Sequence, residues 1–123
     1  MDSDSKYNIN LKVQFKPLEV IDLPEVIEGC KKKWQNLSLS QVNDSLVRLG
    51  VIEGEFHWHK HDREDEFFYV IEGKLLIDLD DKTVELYPQQ GFTVPRGVNH
   101  RTRAPNRTAI LMVETVTVTP TGD

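Results

Sequence analysis

From Leu46 onward the chain is a succession of short apolar-rich runs, each closed by residues that turn a backbone. The runs span 46–52, 55–61, 66–72, 74–79, 83–87, 92–95, 98–103 and 108–118. Among the breaks are Glu72-Gly73, Asp80-Asp81-Lys82, Pro88-Gln89-Gln90-Gly91, Arg96-Gly97 and Ala104-Pro105-Asn106-Arg107. Gly admits positive φ, Pro presets φ, and Asn or Asp bond to nearby backbone, so each break is a chemically reasonable reversal. Many short strands on a beat of about eight to ten residues predict a mainly β fold, a sandwich or a barrel.

Upstream the texture differs. Tyr7, Ile9, Leu11, Val13 and Phe15 alternate with polar residues and Pro17 follows, which predicts an N-terminal strand arm within 1–18. Asp22-Leu23-Pro24-Glu25 offers an N-cap, an early-turn proline and a capping acid, and Val26, Ile27, Cys30 and Trp34 fall at helical spacing. One helix over 23–36 is predicted, with Lys31-Lys32-Lys33 in its last turns, where cations complement the macrodipole. Cys30, the single cysteine, is expected to be a small buried filler. With 123 residues, 38% of them hydrophobic, the chain suffices for one domain: arm, helix and a barrel over 46–118. The opening residues, MDSDSK, are expected to be loose.

A net charge of −5 argues against a nucleic-acid partner, because such binding draws on Lys and Arg neutralising phosphates. No run approaches the roughly 20 apolar residues of a membrane span, and the polar N-terminus lacks the apolar core of a secretory signal. No membrane partner and cytoplasmic residence are the expectations.

Three of the four histidines fall within GEFHWHKH, at 57, 59 and 61; the fourth is His100. On a straight strand over 55–61 all three share one face, about 6.8 Å apart per two-residue step. Imidazole nitrogens hold a metal at about 2.1 Å, so 57 with 59 or 59 with 61 can be a ligand pair, but not all three. Glu66 opens the next run, 66–72, and can return beside the histidines on an adjacent strand.

The spacing His59-x-His61-x4-Glu66-x6-Gly73, followed by Gly91-x3-Pro95-x-Gly97-x2-His100, is similar to the two signature motifs of the cupins. The sequence resembles a small single-domain cupin over roughly 19–123, and its phrasing around the motifs resembles the mannose-6-phosphate isomerase-like subgroup. Two departures are visible: four rather than five residues separate Gly54 from His59, and no asparagine stands four positions after His100. The resemblance implies a double-stranded β-helix, or jelly roll, holding one divalent metal ion through His59, His61, Glu66 and His100. The subgroup name reflects the barrel and does not establish a reaction.

Three imidazoles and a carboxylate suit Fe, Mn, Ni, Co, Cu or Zn as divalent ions, and six-coordination leaves two open positions. Such a centre can polarise a substrate oxygen or activate water. Two readings follow: a metal-dependent enzyme of dioxygenase or isomerase type acting on a small polar molecule, or a module that binds a small ligand without turnover. No catalytic base is identifiable. His57 and Arg96 are pocket candidates, the second as a contact to an anionic substrate; Trp58 is expected to pack on the opposite face from the histidines. Phe67, Tyr69 and Ile71 lie out of phase with Glu66, so the sheet is apolar on both sides, and its outer face is expected to be covered by the helix or by a second subunit in a homodimer.

Overall fold

The reversals close eight strands and one short helix in the computed structural model, which describes residues 6–123. In chain order these are β1 (Asn8–Val13), α1 (Leu23–Gly29), β2 (Trp34–Val42), β3 (Ser45–Glu55), β4 (Glu66–Glu72), β5 (Leu75–Leu79), β6 (Thr83–Leu86), β7 (Gly91–Val94) and β8 (His100–Thr115). The expectation for MDSDSK falls outside the described residues except at Lys6, which is exposed.

β8 organises the barrel. One edge pairs antiparallel with β3 along most of its length, while the other pairs with β5 at 100–103 and with β4 at 109–113. β7 continues outward from β4, β6 from β5, and β2 then β1 from β3, with β1 and β2 parallel. This is a jelly-roll architecture, as the resemblance implied.

To serve two neighbours β8 must bend. Its pairing with β3 jumps from Thr108 opposite Ile52 to Ala104 opposite Gly54, so Pro105, Asn106 and Arg107 bulge out of the ladder. The reversal predicted at 104–107, between separate strands at 98–103 and 108–118, is therefore a bulge within one strand. A proline there forfeits no ladder bond. Arg107 puts the bulge to use: its Nη2 donates to the carbonyls of Ile27 and Cys30, 3.0 and 2.8 Å away, joining Cys30 N on the first and giving the second a partner at the helix C-terminus.

The helix is shorter than predicted. Asp22 caps it, its Oδ1 accepting from Glu25 N at 3.4 Å, but it ends at Gly29 and Cys30 turns extended. Trp34 starts β2 instead of ending the helix, and the three lysines occupy the connection. The 55–61 run also departs from expectation, since β3 stops at Glu55 and only His59 makes a bridge beyond it.

Two apolar clusters flank the sheet. Trp34, Ile52, Phe56, Phe68, Val70, Leu75, Ile77, Ile110 and Met112 fill the barrel. Ile27 and Cys30 cover the outer face formed by Leu39, Leu49, Val51 and Ala109, with Ile71 and Leu111 packed alongside. Thus the helix does cover part of the outer face, and Cys30 is buried filler as expected. Gly73 ends β4 with φ 90°, and a Cβ there would stand 2.8 Å from Thr108 Cα, so turn and close approach both require glycine. No helix among the described residues is long and apolar enough to cross a membrane.

Candidate metal centre

Backbone pairing brings the distant histidines together. His59 and His100 form an isolated antiparallel bridge, each N–H donating to the other's carbonyl at 2.9 Å. Gly97 N donates to His61 O at 2.8 Å, tying the loop before β8 to the loop before β4. Glu66 is the first residue of β4, opposite Val94 of β7. As a result His59, His61, Glu66 and His100 each present one potential ligand atom within 4.8 Å of the others. Donors on one ion at about 2.1 Å stand about 3.0 Å apart when adjacent and about 4.2 Å apart when opposite, so the cluster has only to contract around an ion to hold it.

Hydrogen bonds choose which atoms face inward. His59 Nδ1 lies 3.0 Å from His57 O, and His100 Nδ1 lies 2.9 Å from Val98 O. A carbonyl only accepts, so both rings carry a proton on Nδ1 and turn Nε2 toward the cluster. Glu66 Oε1 stands 3.4 Å from His61 Nε2 and 3.5 Å from His100 Nε2 without a hydrogen bond to either, and all three atoms are buried. Lone pairs converging on a buried carboxylate oxygen repel one another unless a proton or a metal ion lies between them. Together with the N3O donor set, these orphaned atoms fit a borderline divalent ion.

The electrostatics agree. Burial, aided by the neighbouring His100, pushes the His59 ring down to about 4, so it is neutral near pH 7. Burial also disfavours charge on His61, but the adjacent Glu66 carboxylate outweighs it and raises that ring above its ordinary value. Burial alone would raise Glu66; His100, His61 and Glu114 overcome it and hold the carboxyl below the usual range.

Behind the cluster lies a polar patch that sequence reasoning missed as a unit. Arg48 of β3 is fully buried, its Nε 3.3 Å from Glu114 Oε1 of β8 and 3.0 Å from Asn36 Oδ1 of β2. Burial and the nearby Glu66 charge push Glu114 up to about 9, which makes it a protonated acid near neutrality. Glu114, Glu66, His59 and Asn36 share the wall of a cavity of about 30 Å3 with Trp34, Phe56 and Phe68. The available signal was phase: Arg48 and Glu114 are opposite charges in the inward register of two otherwise apolar strands.

The two pocket candidates lie elsewhere. His57 is half-buried and its Nε2 donates to Thr121 O at 2.7 Å; it does not line the cavity. Arg96 is exposed, with its backbone N 2.9 Å and its Nε 3.4 Å from Asp65 Oδ1 on the surface. Trp58 is exposed beneath the Arg101 guanidinium, 5.5 Å from the ring centroid, not packed away.

Residues 45–116 match the family model described as Cupin domain. The chain is 49% identical over 94 residues to an uncharacterized Bacillus subtilis protein, YdbB, covering 76% of this chain and 83% of that one. Among solved structures, a cupin-2 domain protein from Shewanella frigidimarina superposes with TM-score 0.75 at 31% identity, over 78% of this chain and 94% of its own. A Neisseria meningitidis protein matches with TM-score 0.70 at 24% identity, over 79% and 99% respectively, which shows the shared fold. The chain belongs to the cupins, and its own barrel carries a His and Glu cluster that could hold a metal ion.

Proposed function

We propose that this cupin is a metal-dependent enzyme that binds one divalent ion through His59, His61, Glu66 and His100 and acts on a small polar, oxygen-rich molecule. The observation that carries this reading is the convergence of the His59 and His100 Nε2 atoms and the buried Glu66 oxygen on one point. A bound ion would supply Lewis acidity, or dioxygen chemistry if it is iron. The protein supplies the rest: backbone carbonyls orient two imidazoles, Glu66 provides the compensating charge, and Phe56, Phe68 and Trp34 keep the wall dry. Glu114 places a carboxyl on that wall beside Glu66.

The cavity's small volume, about 30 Å3 and so near the room of a single water, favours a second reading, a non-catalytic module in which the metal anchors one small ligand. Oxygen uptake and product analysis with iron-, manganese- or zinc-loaded protein, across a panel of small hydroxy-ketones, diketones and sugar phosphates, separate the two. Turnover that disappears in Glu66→Gln supports the enzyme; saturable binding without product supports the module. Aldose–ketose interconversion among the sugar phosphates would support chemistry of the isomerase type, and none occurring would remove that reaction.

The outer face supports a homodimer. Phe67 of β4 and Val113 of β8 are directly paired and each is 37% exposed, beyond the reach of the helix. Paired apolar side chains left to water favour a second copy as cover. Light scattering should report twice the chain mass for the native protein and a monomer for Phe67→Glu; a native monomer would contradict it.

A further inference from the structure

Two imidazoles of the cluster are oriented by backbone carbonyls, but His61 is not. Its ring is buried, 2% exposed, its Nε2 faces Glu66, and its Nδ1 has no hydrogen-bond partner. Carboxylates stand nearby: a ring nitrogen of His61 and one oxygen each of Glu64 and Asp123 lie within 4.8 Å of one another. Both acids are held in place. Thr117 Oγ1 donates to Glu64 Oε2 at 2.8 Å, and Asp62 N donates to Asp123 Oδ2 at 2.7 Å, which leaves Asp123 Oδ1 free.

The segment carrying Asp123 is latched across the histidine loop. Asp123 N donates to Lys60 O at 2.9 Å, and His57 Nε2 donates to Thr121 O at 2.7 Å. Gly122 adopts φ 100° and approaches so closely that a Cβ would lie 2.6 Å from His59 Cβ. Pro120 reaches the cavity wall. These contacts touch 57, 59, 60 and 62 in turn, and the segment lies beyond the 45–116 stretch that matches the family model.

We propose that Glu64 and Asp123 are positioning residues: their carboxylates accept the Nδ1–H of His61, fixing Nε2 as the nitrogen that faces the metal and coupling metal affinity to docking of the 117–123 segment. The outcome is a carboxylate–histidine–metal relay on the third imidazole, in place of the carbonyl used by the other two. This inference rests on reading the cluster as a metal centre.

The test uses the full chain loaded with Zn2+ alone, with affinity measured by chelator competition and the ring Nδ1–H protons observed by NMR. Glu64→Ala/Asp123→Ala should weaken Zn2+ by about 10- to 100-fold and abolish the protected His61 Nδ1–H signal while those of His59 and His100 persist. Glu64→Gln/Asp123→Asn retains carbonyl acceptors and should restore most of the affinity. Equal loss in both double variants would assign the effect to bulk charge, and simultaneous loss of all three ring signals would assign it to general loosening; either overturns the proposal, as does unchanged affinity in the alanine pair. Failure of the native protein to bind Zn2+ would instead overturn the metal reading on which it stands.

Discussion

Asp78 and Glu66 are two carboxylates of nearly equal burial, 5% and 6% exposed, with opposite surroundings. Asp78, on the outer face of β5, accepts from Thr83 Oγ1 (2.6 Å), Arg101 Nε (2.7 Å), Arg103 Nε (2.7 Å) and Arg103 Nη2 (3.1 Å), so neither oxygen is idle. Glu66, inside the barrel, has an oxygen facing two imidazole nitrogens with no hydrogen bond. A satisfied carboxylate holds three strands together; an unsatisfied one of the same burial marks a place kept ready for something else.

The largest expected effect sharpens that contrast. Asp78→Asn leaves two guanidinium groups short of their anion and should cost about 2–3 kcal/mol in urea unfolding. Glu66→Gln in metal-free protein should cost less, about 1 kcal/mol or below, because its inward oxygen has no hydrogen bond to lose. Equal costs would break the comparison. Next in size, saturating Zn2+ at about 100 times its dissociation constant should stabilise the native protein and Asp78→Asn alike by about 2.7 kcal/mol, with little gain in Glu66→Gln, as followed by thermal melts.

Acid supplies a third, smaller distinction. Hydrogen bonds from Arg103, then Thr83 and Arg101, hold Asp78 well below the usual carboxylate range despite burial. A folded-state value below the unfolded one, about 3.9, contributes stability that is complete above that pH and is lost as pH falls toward the folded value. The gap between native protein and Asp78→Asn should therefore narrow on acidification below about pH 4, by at most roughly 1.4 kcal/mol per pH unit; a constant gap would contradict the assignment. Smallest of all, Arg103→Lys exchanges a forked contact for a point charge on a partly exposed site and should cost about 1 kcal/mol in urea unfolding.

Much of the barrel was legible because its strands alternate and its turns carry the residues that turns require. β2 was not, and the reason lies in the interior. Its inward positions are Trp34, Asn36 and Ser38, and the polar pair removes the apolar alternation that announces a strand, while Asn36 serves buried Arg48. Trp34, in helical phase with Val26, Ile27 and Cys30, then read as a helix end. The bulge at Pro105-Asn106-Arg107 read as a reversal for a similar cause: turn residues also suit a strand that must change neighbours.

The His and Glu cluster was legible in the motif spacing, which resembles the cupins and selects His59 with His61, although straight-strand geometry by itself left the histidine pair open. That choice depends on the His59–His100 bridge and on His57 being drawn to Thr121, both contacts between residues more than 40 positions apart. The Arg48–Glu114 pairing was not legible for the same reason, since an ionisable side chain in a strand gains meaning only when its partner stands beside it on the neighbouring strand.

Metal analysis of protein purified without an affinity tag and reconstituted with a divalent ion tests the centre most directly. The account predicts about one equivalent per chain in the native protein, with almost none retained by folded His59→Ala or His100→Ala. Undiminished metal in both variants, or none in the native chain, would contradict it.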